Sequence, residues 1–319
     1  MRYLQERGLL HGAPAGCTGP VRSVAITSVG TALRRSMQRT PSGTGLGLRR
    51  AHLGPFLSGV PEQIEFLEVA PENWIGVGGR LRDAFEAIAP QRPLVCHGLS
   101  LNLGGLDPID EPFVREVGAF LDQYAVAVYG DHLSYSGHGG HLYELLPIPF
   151  TQEAVRYVGD RVRRVQDLLG RQITIENATY YCAPGQEIPE SEFLAGVLEY
   201  ADCRLLLDVN NVWVNSFNNA DYDPAAFIRE LDTDRIAYLH IAGHEYQTDD
   251  LIIDTHGAPI ADPVYDLLAE TYTAHGLVPT LLERDVNVPP IEESIAEIAR
   301  INALRANASE SVASPSVCA

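Results

Sequence analysis

An α/β fold, a single parallel (β/α)8 barrel, is what this sequence predicts, on three observations. Short apolar runs rich in β-branched residues alternate with longer stretches of helical period, the pattern of βα units on a parallel sheet. The alternation occurs eight times, the number that closes a TIM barrel. Metal-type side chains close most of the runs, and in such barrels the C-terminal strand ends and their loops form the active site.

The runs are 44–49 (Thr-Gly-Leu-Gly-Leu-Arg), 64–69 (Ile-Glu-Phe-Leu-Glu-Val), 92–97 (through Pro-Leu-Val-Cys to His97) and 125–131 (Ala-Val-Ala-Val-Tyr-Gly to Asp131). They continue with 172–177 (Gln-Ile-Thr-Ile to Glu176 and Asn177), 203–209 (Arg-Leu-Leu-Leu to Asp208), 235–241 (Ile-Ala-Tyr-Leu to His240) and 278–283 (Val-Pro-Thr-Leu-Leu to Glu283). Helical period places helices at 79–88, 111–123, 151–169, 190–200, 223–231 and 262–275, with 290–305 packing after the last strand. Together these give one catalytic domain over 44–307. Residues 1–43, rich in Gly, Ser, Thr, Ala and Arg and without sustained period, read as a flexible arm or an upstream start-site extension. The small, polar segment 308–319 reads as a disordered tail.

With 45% hydrophobic residues in 319, the chain can bury one large core. No apolar run approaches the roughly 20 residues that cross a bilayer, and no secretory signal is present, so a soluble cytoplasmic protein is expected. The five cysteines are scattered, which suggests neither a disulfide framework nor a zinc ribbon. All 23 basic residues are arginine. Eight arginines against Glu6 give the first fifty residues +7, while 15 arginines against 41 acids give the rest −26, for −19 overall. A body this acidic repels nucleic-acid backbones, so neither nucleic acid nor membrane is an expected partner.

Candidate ligands follow from the strand ends. A single strand-end Asp or His reads as a helix N-cap or a satisfied core group. Repetition at His97, Asp131, His132, Glu176, Asp208, His240 and Glu283 is different, because buried polar groups are costly unless they pair or coordinate a metal. Asp254 and His256, alternate residues of the extended Ile-Ile-Asp-Thr-His-Gly, point to one face and can reach one ion. Imidazole and carboxylate without thiolate suit iron, manganese or zinc.

The order of these residues resembles the trinuclear site of endonuclease IV-like and xylose isomerase-like barrels. The local motifs resemble a narrower group. Gly-Leu-Gly-Leu-Arg-Arg-Ala-His, Phe-Leu-Glu-Val-Ala-Pro-Glu-Asn-Trp, His-Gly-Leu-Ser-Leu-Asn-Leu-Gly, Gly-Asp-His-Leu-Ser, Ile-Glu-Asn, Leu-Asp-Val-Asn-Asn, Leu-His-Ile-Ala-Gly-His and Asp-Thr-His-Gly look like the domain-of-unknown-function 692 family. Its characterised members are multinuclear non-heme iron-dependent oxidative enzymes, including the oxidase of methanobactin biosynthesis. The resemblance implies two or three irons, mixed Fe(II) and Fe(III), with dioxygen as co-substrate. It implies a ribosomally made precursor peptide as substrate, modified at cysteine, and a separate partner protein that grips the leader segment.

Carried over residue by residue, the resemblance makes His52, His97, Asp131, Glu176, Asp208, His240, Asp254, His256 and Glu283 the metal ligands. Asn211 stands where endonuclease IV-like enzymes place a histidine, which weakens a zinc phosphodiesterase reading; it could ligate through its amide oxygen. His244, Glu72 and His132 are the expected contacts to substrate or to the ligands, with Asn73 near the mouth. Asn177 and Asn102 are expected to orient ligands by hydrogen bonds. A zinc- or manganese-dependent hydrolase or sugar isomerase on the same barrel is the alternative. A catalytically silent metal-binding or scaffold protein is a third reading.

His138 and His141, in Ser-Gly-His-Gly-Gly-His, read as part of a Gly-rich lid and not as a metal site. Gly-Val-Gly-Gly at 76–79 lacks the setting of a dinucleotide fingerprint. No Gly-x-Ser-x-Gly elbow is present, so covalent nucleophilic catalysis has little support.

Overall fold

The computed structural model describes residues 40–182 and 185–313. Eight parallel strands close a barrel: β1 (Thr44–Gly47), β2 (Phe66–Val69), β3 (Leu94–Gly98), β4 (Tyr129–His132), β5 (Thr174–Glu176), β6 (Arg204–Asp208), β7 (Ile236–Ile241) and β8 (Thr280–Leu282). Each pairs with its sequence neighbours, and β8 closes the ring on β1 through Gly45↔Leu281. Each strand lies within or one residue beyond the span its sequence predicts.

Besides a single turn at Leu53–Phe56, the α-helices of the described residues are α1 (Gly79–Ile88), α2 (Glu111–Gln123), α3 (Gln152–Leu169), α4 (Glu190–Ala201), α5 (Val209–Asn218), α6 (Pro224–Glu230), α7 (Asp262–His275) and α8 (Ile291–Ala313). Local chemistry sets their ends. The Thr151 hydroxyl accepts the Ala154 N–H at 3.1 Å to start α3, and Gly170, at φ 62°, ends it in the left-handed conformation glycine tolerates. Asp110 and Asp223 cap α2 and α6 in the same way. Two elements depart from the sequence reading. The pattern placed no helix at α5, and α8 runs past Asn307 to Ala313, where alanines and glutamate favour continuation. The rest of the expected tail, like the expected arm up to residue 39, lies outside the described residues.

Period-2 alternation divides the strands into an outer face and an inner one. Leu46, Leu67, Cys96, Ile175, Leu205, Leu207, Leu239 and Leu282 face the helices in the large core. Phe66, Val95, Leu206, Ala237, Tyr238 and Leu281 form a separate apolar plug inside the barrel. Gly45 makes room for that plug, since a Cβ there would sit 2.6 Å from the Phe66 ring. Two residues along from the plug, on the same face, come Glu68, His97, Asp208, His240 and Glu283. The barrel therefore holds an apolar layer beneath a polar one.

Two antiparallel hairpins project beyond the barrel strands. One, Tyr135–Gly137 with His141–Leu146, follows β4; the other, His244–Thr248 with Leu251–Asp254, follows β7. Among the described residues no helix is long and apolar enough to cross a membrane.

Candidate metal centre

The inner polar layer brings imidazole nitrogens and carboxylate oxygens into three overlapping groups, each with its ligand atoms within 4.8 Å of one another. The first is His97, His132 and Glu176; the second is Glu176, Asp208, His240 and Glu283; the third is His256, Glu283 and Asp285. Glu176 belongs to the first two and Glu283 to the last two, so two carboxylates link the three groups.

Glu176 ends β5, with Oε2 2.9 Å from His97 Nε2 and 3.2 Å from His132 Nε2, and Oε1 3.3 Å from His240 Nδ1. Burial would raise its pKa, but His97 and His132 outweigh burial and hold it low. His240, fully buried, has Nδ1 2.9 Å from Glu283 Oε2 and 3.9 Å from Asp208 Oδ2. Burial would lower its pKa, yet Glu68 and Glu283 lift it well above the ordinary imidazole value. Glu283 is depressed because His240 and His256 more than offset its burial. Burial would lower the His132 pKa, but Glu176, Asp131 and Glu283 together lift it to about 9. The Asp208 carboxyl is pushed up by burial and by Glu176.

This chemistry fits metal ions. His240 Nδ1, Glu176 Oε2, Asp208 Oδ2, Asn211 Oδ1 and His256 Nε2 are buried and make no hydrogen bond, although other polar atoms stand close to several of them. A buried polar group left unsatisfied costs about 1–3 kcal/mol, so lone pairs converging in this way are stabilised by a shared cation.

The expected residues fall into distinct places. Asp208 splits its carboxylate: Oδ1 accepts the Asn211 N–H at 2.7 Å and caps α5, while Oδ2 faces His240. Asn177 clamps the same strand end, donating to Asp208 O at 3.0 Å and accepting Asp208 N–H at 2.9 Å. Asn211 donates to Asn177 O, which leaves its amide oxygen unpartnered. His256, held at φ 51°, contacts Asp254 Oδ1 at 2.7 Å and Asp285 Oδ2 at 3.3 Å. Asp254 lies beside the third group without belonging to it.

Asp131 and His52 stand apart from the three groups. Asp131 falls on the parity of Tyr129, which packs in the outer core, and its Oδ2 accepts the N–H groups of Ser100 and Leu101. His132, one residue on, takes the inward position instead. His52 sits in a short 3₁₀ turn, stacked on Phe56, with Nδ1 accepting the Arg49 N–H at 3.2 Å and Nε2 buried without a partner. Burial and the Arg49 charge lower its pKa to about 4.

Glu72 accepts the Leu99 N–H at 2.8 Å, and burial, with Asp131 nearby, raises its pKa. Asn73 closes the short 3₁₀ turn Pro71–Asn73 after β2. His244 is buried, with Nδ1 2.9 Å from Asn210 Oδ1. The Asn210 amide nitrogen in turn donates to Asp254 Oδ1 at 2.8 Å. Asn102, at φ 50°, ties the first hairpin down through Ser136 N–H and Gly137 O. His138, in the turn of that hairpin, lies 3.1 Å from Asp107.

Sequence reasoning missed Glu68, Arg49, Asn210 and Asp285. Glu68 meets His240 Nε2 at 3.0 Å, and the Arg49 guanidinium bridges Glu283 and Asp285. Glu68 was detectable, since it lies two residues after the inward Phe66. Asp285 and Arg49 lie in loops, where no period signals direction.

Several solved structures share the fold. A xylose isomerase domain protein from Planctomyces limnophilus superimposes with TM-score 0.53 at 12% identity, over 85% of this chain and 99% of its own. A D-psicose 3-epimerase gives 0.52 at 10%, over 83% and 97%. Identities this low carry the fold alone. Sequence relatives are nearer. A UPF0276 protein of Shewanella amazonensis is 52% identical over 264 residues, 83% of this chain and 95% of the relative. One of Nitrosospira multiformis is 51% identical over 278 residues, 86% and 98%. The profile of the RiPP precursor modification enzyme MbnB/TglH/ChrH family matches residues 43–306. With a barrel of the expected topology and about half of the aligned residues identical in these relatives, the chain belongs to the RiPP precursor modification enzyme family MbnB/TglH/ChrH, the family its motifs resemble.

Proposed function

We propose that this enzyme is an iron-dependent, dioxygen-using oxidase that modifies a ribosomally synthesised precursor peptide at cysteine. The observation that carries the reading is the linkage of three ligand groups through Glu176 and Glu283, in a chain of a precursor-modifying family. His97, His132 and Glu176 would hold one ion; Glu176, Asp208, His240 and Glu283 a second; His256, Glu283 and Asp285 a third. Asn211, through its unpartnered amide oxygen, and Asp254, in contact with His256 Nε2, would complete these sets on loading, and His52, outside the three groups, would join them through its unpartnered Nε2. Asp131 serves the loop at 99–101 instead. Two or three irons, ferrous and ferric together, supply the one-electron and dioxygen chemistry when bound.

The chain's own residues bind, orient and move protons. Asn210 uses its amide nitrogen on Asp254, so its oxygen accepts from His244 Nδ1–H. That leaves the lone pair of His244 on Nε2, which has no hydrogen-bond partner. Burial lowers the His244 pKa, so the ring is neutral near pH 7 and Nε2 can take a proton from the peptide. Glu72, its pKa raised by burial, is the complementary proton holder. The two hairpins, which follow β4 and β7, would line the approach of an extended peptide. A separate protein grips the leader segment, which adds an edge strand to that partner's sheet.

Co-expression with a cysteine-bearing precursor and its partner, followed by mass spectrometry, tests the reading. A mass change at cysteine that requires both iron and dioxygen is expected. Conversion of a sugar, or peptide modification undiminished without dioxygen, would move the assignment to the isomerase or hydrolase alternative.

A further inference from the structure

His240 presents both ring nitrogens to partners, and the two faces differ. Nδ1 points among the carboxylates of Glu176, Asp208 and Glu283 and forms no hydrogen bond. Nε2 points the other way, 3.0 Å from Glu68 Oε2. That oxygen also accepts the Tyr238 hydroxyl at 2.7 Å. All three side chains are 2% exposed or less, so water does not compete. Glu68 stands outside the three ligand groups, and the plug residue Phe66 precedes it on the same inward face.

We propose that Glu68 is a positioning residue that fixes His240 in its Nε2–H form, so that the Nδ1 lone pair is directed at the central metal. The inference rests on the metal-centre reading above and assigns a role to a residue that touches no ion itself. One oxygen already accepting from a phenol is an acceptor for a second donor, and Nε2–H is the only donor His240 can offer it. A neutral imidazole with its proton on Nε2 keeps its lone pair on Nδ1. Buried carboxylates in this relation to a ligating histidine fix its ring orientation and raise its basicity. Tyr238 holds the carboxylate from below, which prevents it from swinging up into the cluster as a further ligand.

The wild-type chain provides the first test. Protein labelled with 15N at histidine and loaded with Zn(II) as a diamagnetic probe is read by long-range 1H–15N correlation, with the His240 signals assigned by their loss in His240→Gln. A protonated, slowly exchanging Nε2 and a metal-bound Nδ1 are expected; a proton on Nδ1 with metal on Nε2 overturns the proposal. Glu68→Gln provides the second, with metal affinity measured by chelator competition. Loss of about 10- to 100-fold in affinity, with fast exchange of the His240 N–H and unchanged circular dichroism, supports the role. Unchanged affinity and exchange contradict it while leaving the oxidase reading intact. If Glu68→Gln does not fold, the wild-type spectrum decides alone. A wild-type chain that binds neither Zn(II) nor iron refutes the metal centre itself.

Discussion

The carboxylate of Asp208 serves two neighbours at once: Oδ1 accepts the Asn211 backbone N–H at 2.7 Å, and Oδ2 lies buried beside His240 with no hydrogen bond. Helix start and metal site are thereby joined in one side chain. Asp208→Asn keeps an acceptor for the cap and removes the charge, so metal content should fall while thermal stability changes little. Asp208→Ala also loses the cap and should be less stable by about 1 kcal/mol more. Paired elemental analysis and thermal melts check both, and a metal-replete Asp208→Asn would contradict the ligand role.

Gly45 is required by the apolar plug. Its missing Cβ would sit 2.6 Å from the Phe66 ring, inside a closed barrel with no room to yield. Gly45→Ala should cost about 1–3 kcal/mol through overpacking, read from the denaturant midpoint. An unchanged midpoint would show that Phe66 can turn aside.

Glu190, half-buried at the start of α4, has Oε2 3.1 Å from the Tyr180 hydroxyl, and burial lifts its pKa from 4.5 to about 7. The unfolded chain releases this proton near 4.5, whereas the folded chain holds it to about 7. Between those values the folded state binds more protons, so this residue's contribution to stability falls as pH rises. Glu190→Gln keeps a partner for Tyr180 without titrating. It should match the parent near pH 4 and exceed it at about pH 8 by on the order of 1 kcal/mol. Equal melting temperatures at the higher pH would contradict the shift.

Arg284, 4% exposed, clamps the segment after His256 to α8. It bonds Glu297 Oε2 through Nε at 3.1 Å and through Nη2 at 2.6 Å, and also reaches Ala258 O. Glu297 Oε1 accepts the Ile260 N–H at 2.9 Å. Glu297→Ala strands a buried guanidinium and should cost about 3–5 kcal/mol. Chemical denaturation measures it, and a loss below about 1 kcal/mol would mean that the guanidinium finds water or a new acceptor.

The barrel was legible because its signals are local and repeated. Helices 79–88, 111–123 and 262–275 match the sequence reading residue for residue, since the apolar period is bounded there by glycine or proline, with an Asp110 cap on the second. Helix α5 was not legible: Val-Asn-Asn-Val-Trp-Val has weak helix formers, and the Asp208 cap and tertiary packing hold it. Within the site, strand-end position revealed which residues gather, and parity decides which face inward. Asp131 and His132 are adjacent, so one of the two had to turn away, and the outward packing of Tyr129 shows which. Parity counted from Phe66 would also have found Glu68. Asp285 and Arg49 meet from loops at opposite ends of the described chain, a contact made only by barrel closure.

Metal content is the most direct test of the central claim. Protein expressed with iron and purified without oxygen is analysed for metals, then examined by Mössbauer spectroscopy. Two or three irons per chain, with ferrous and ferric signals together, are expected from three groups linked through Glu176 and Glu283. Stoichiometric zinc or manganese, with iron absent even after iron-supplemented growth, would contradict the oxidase reading.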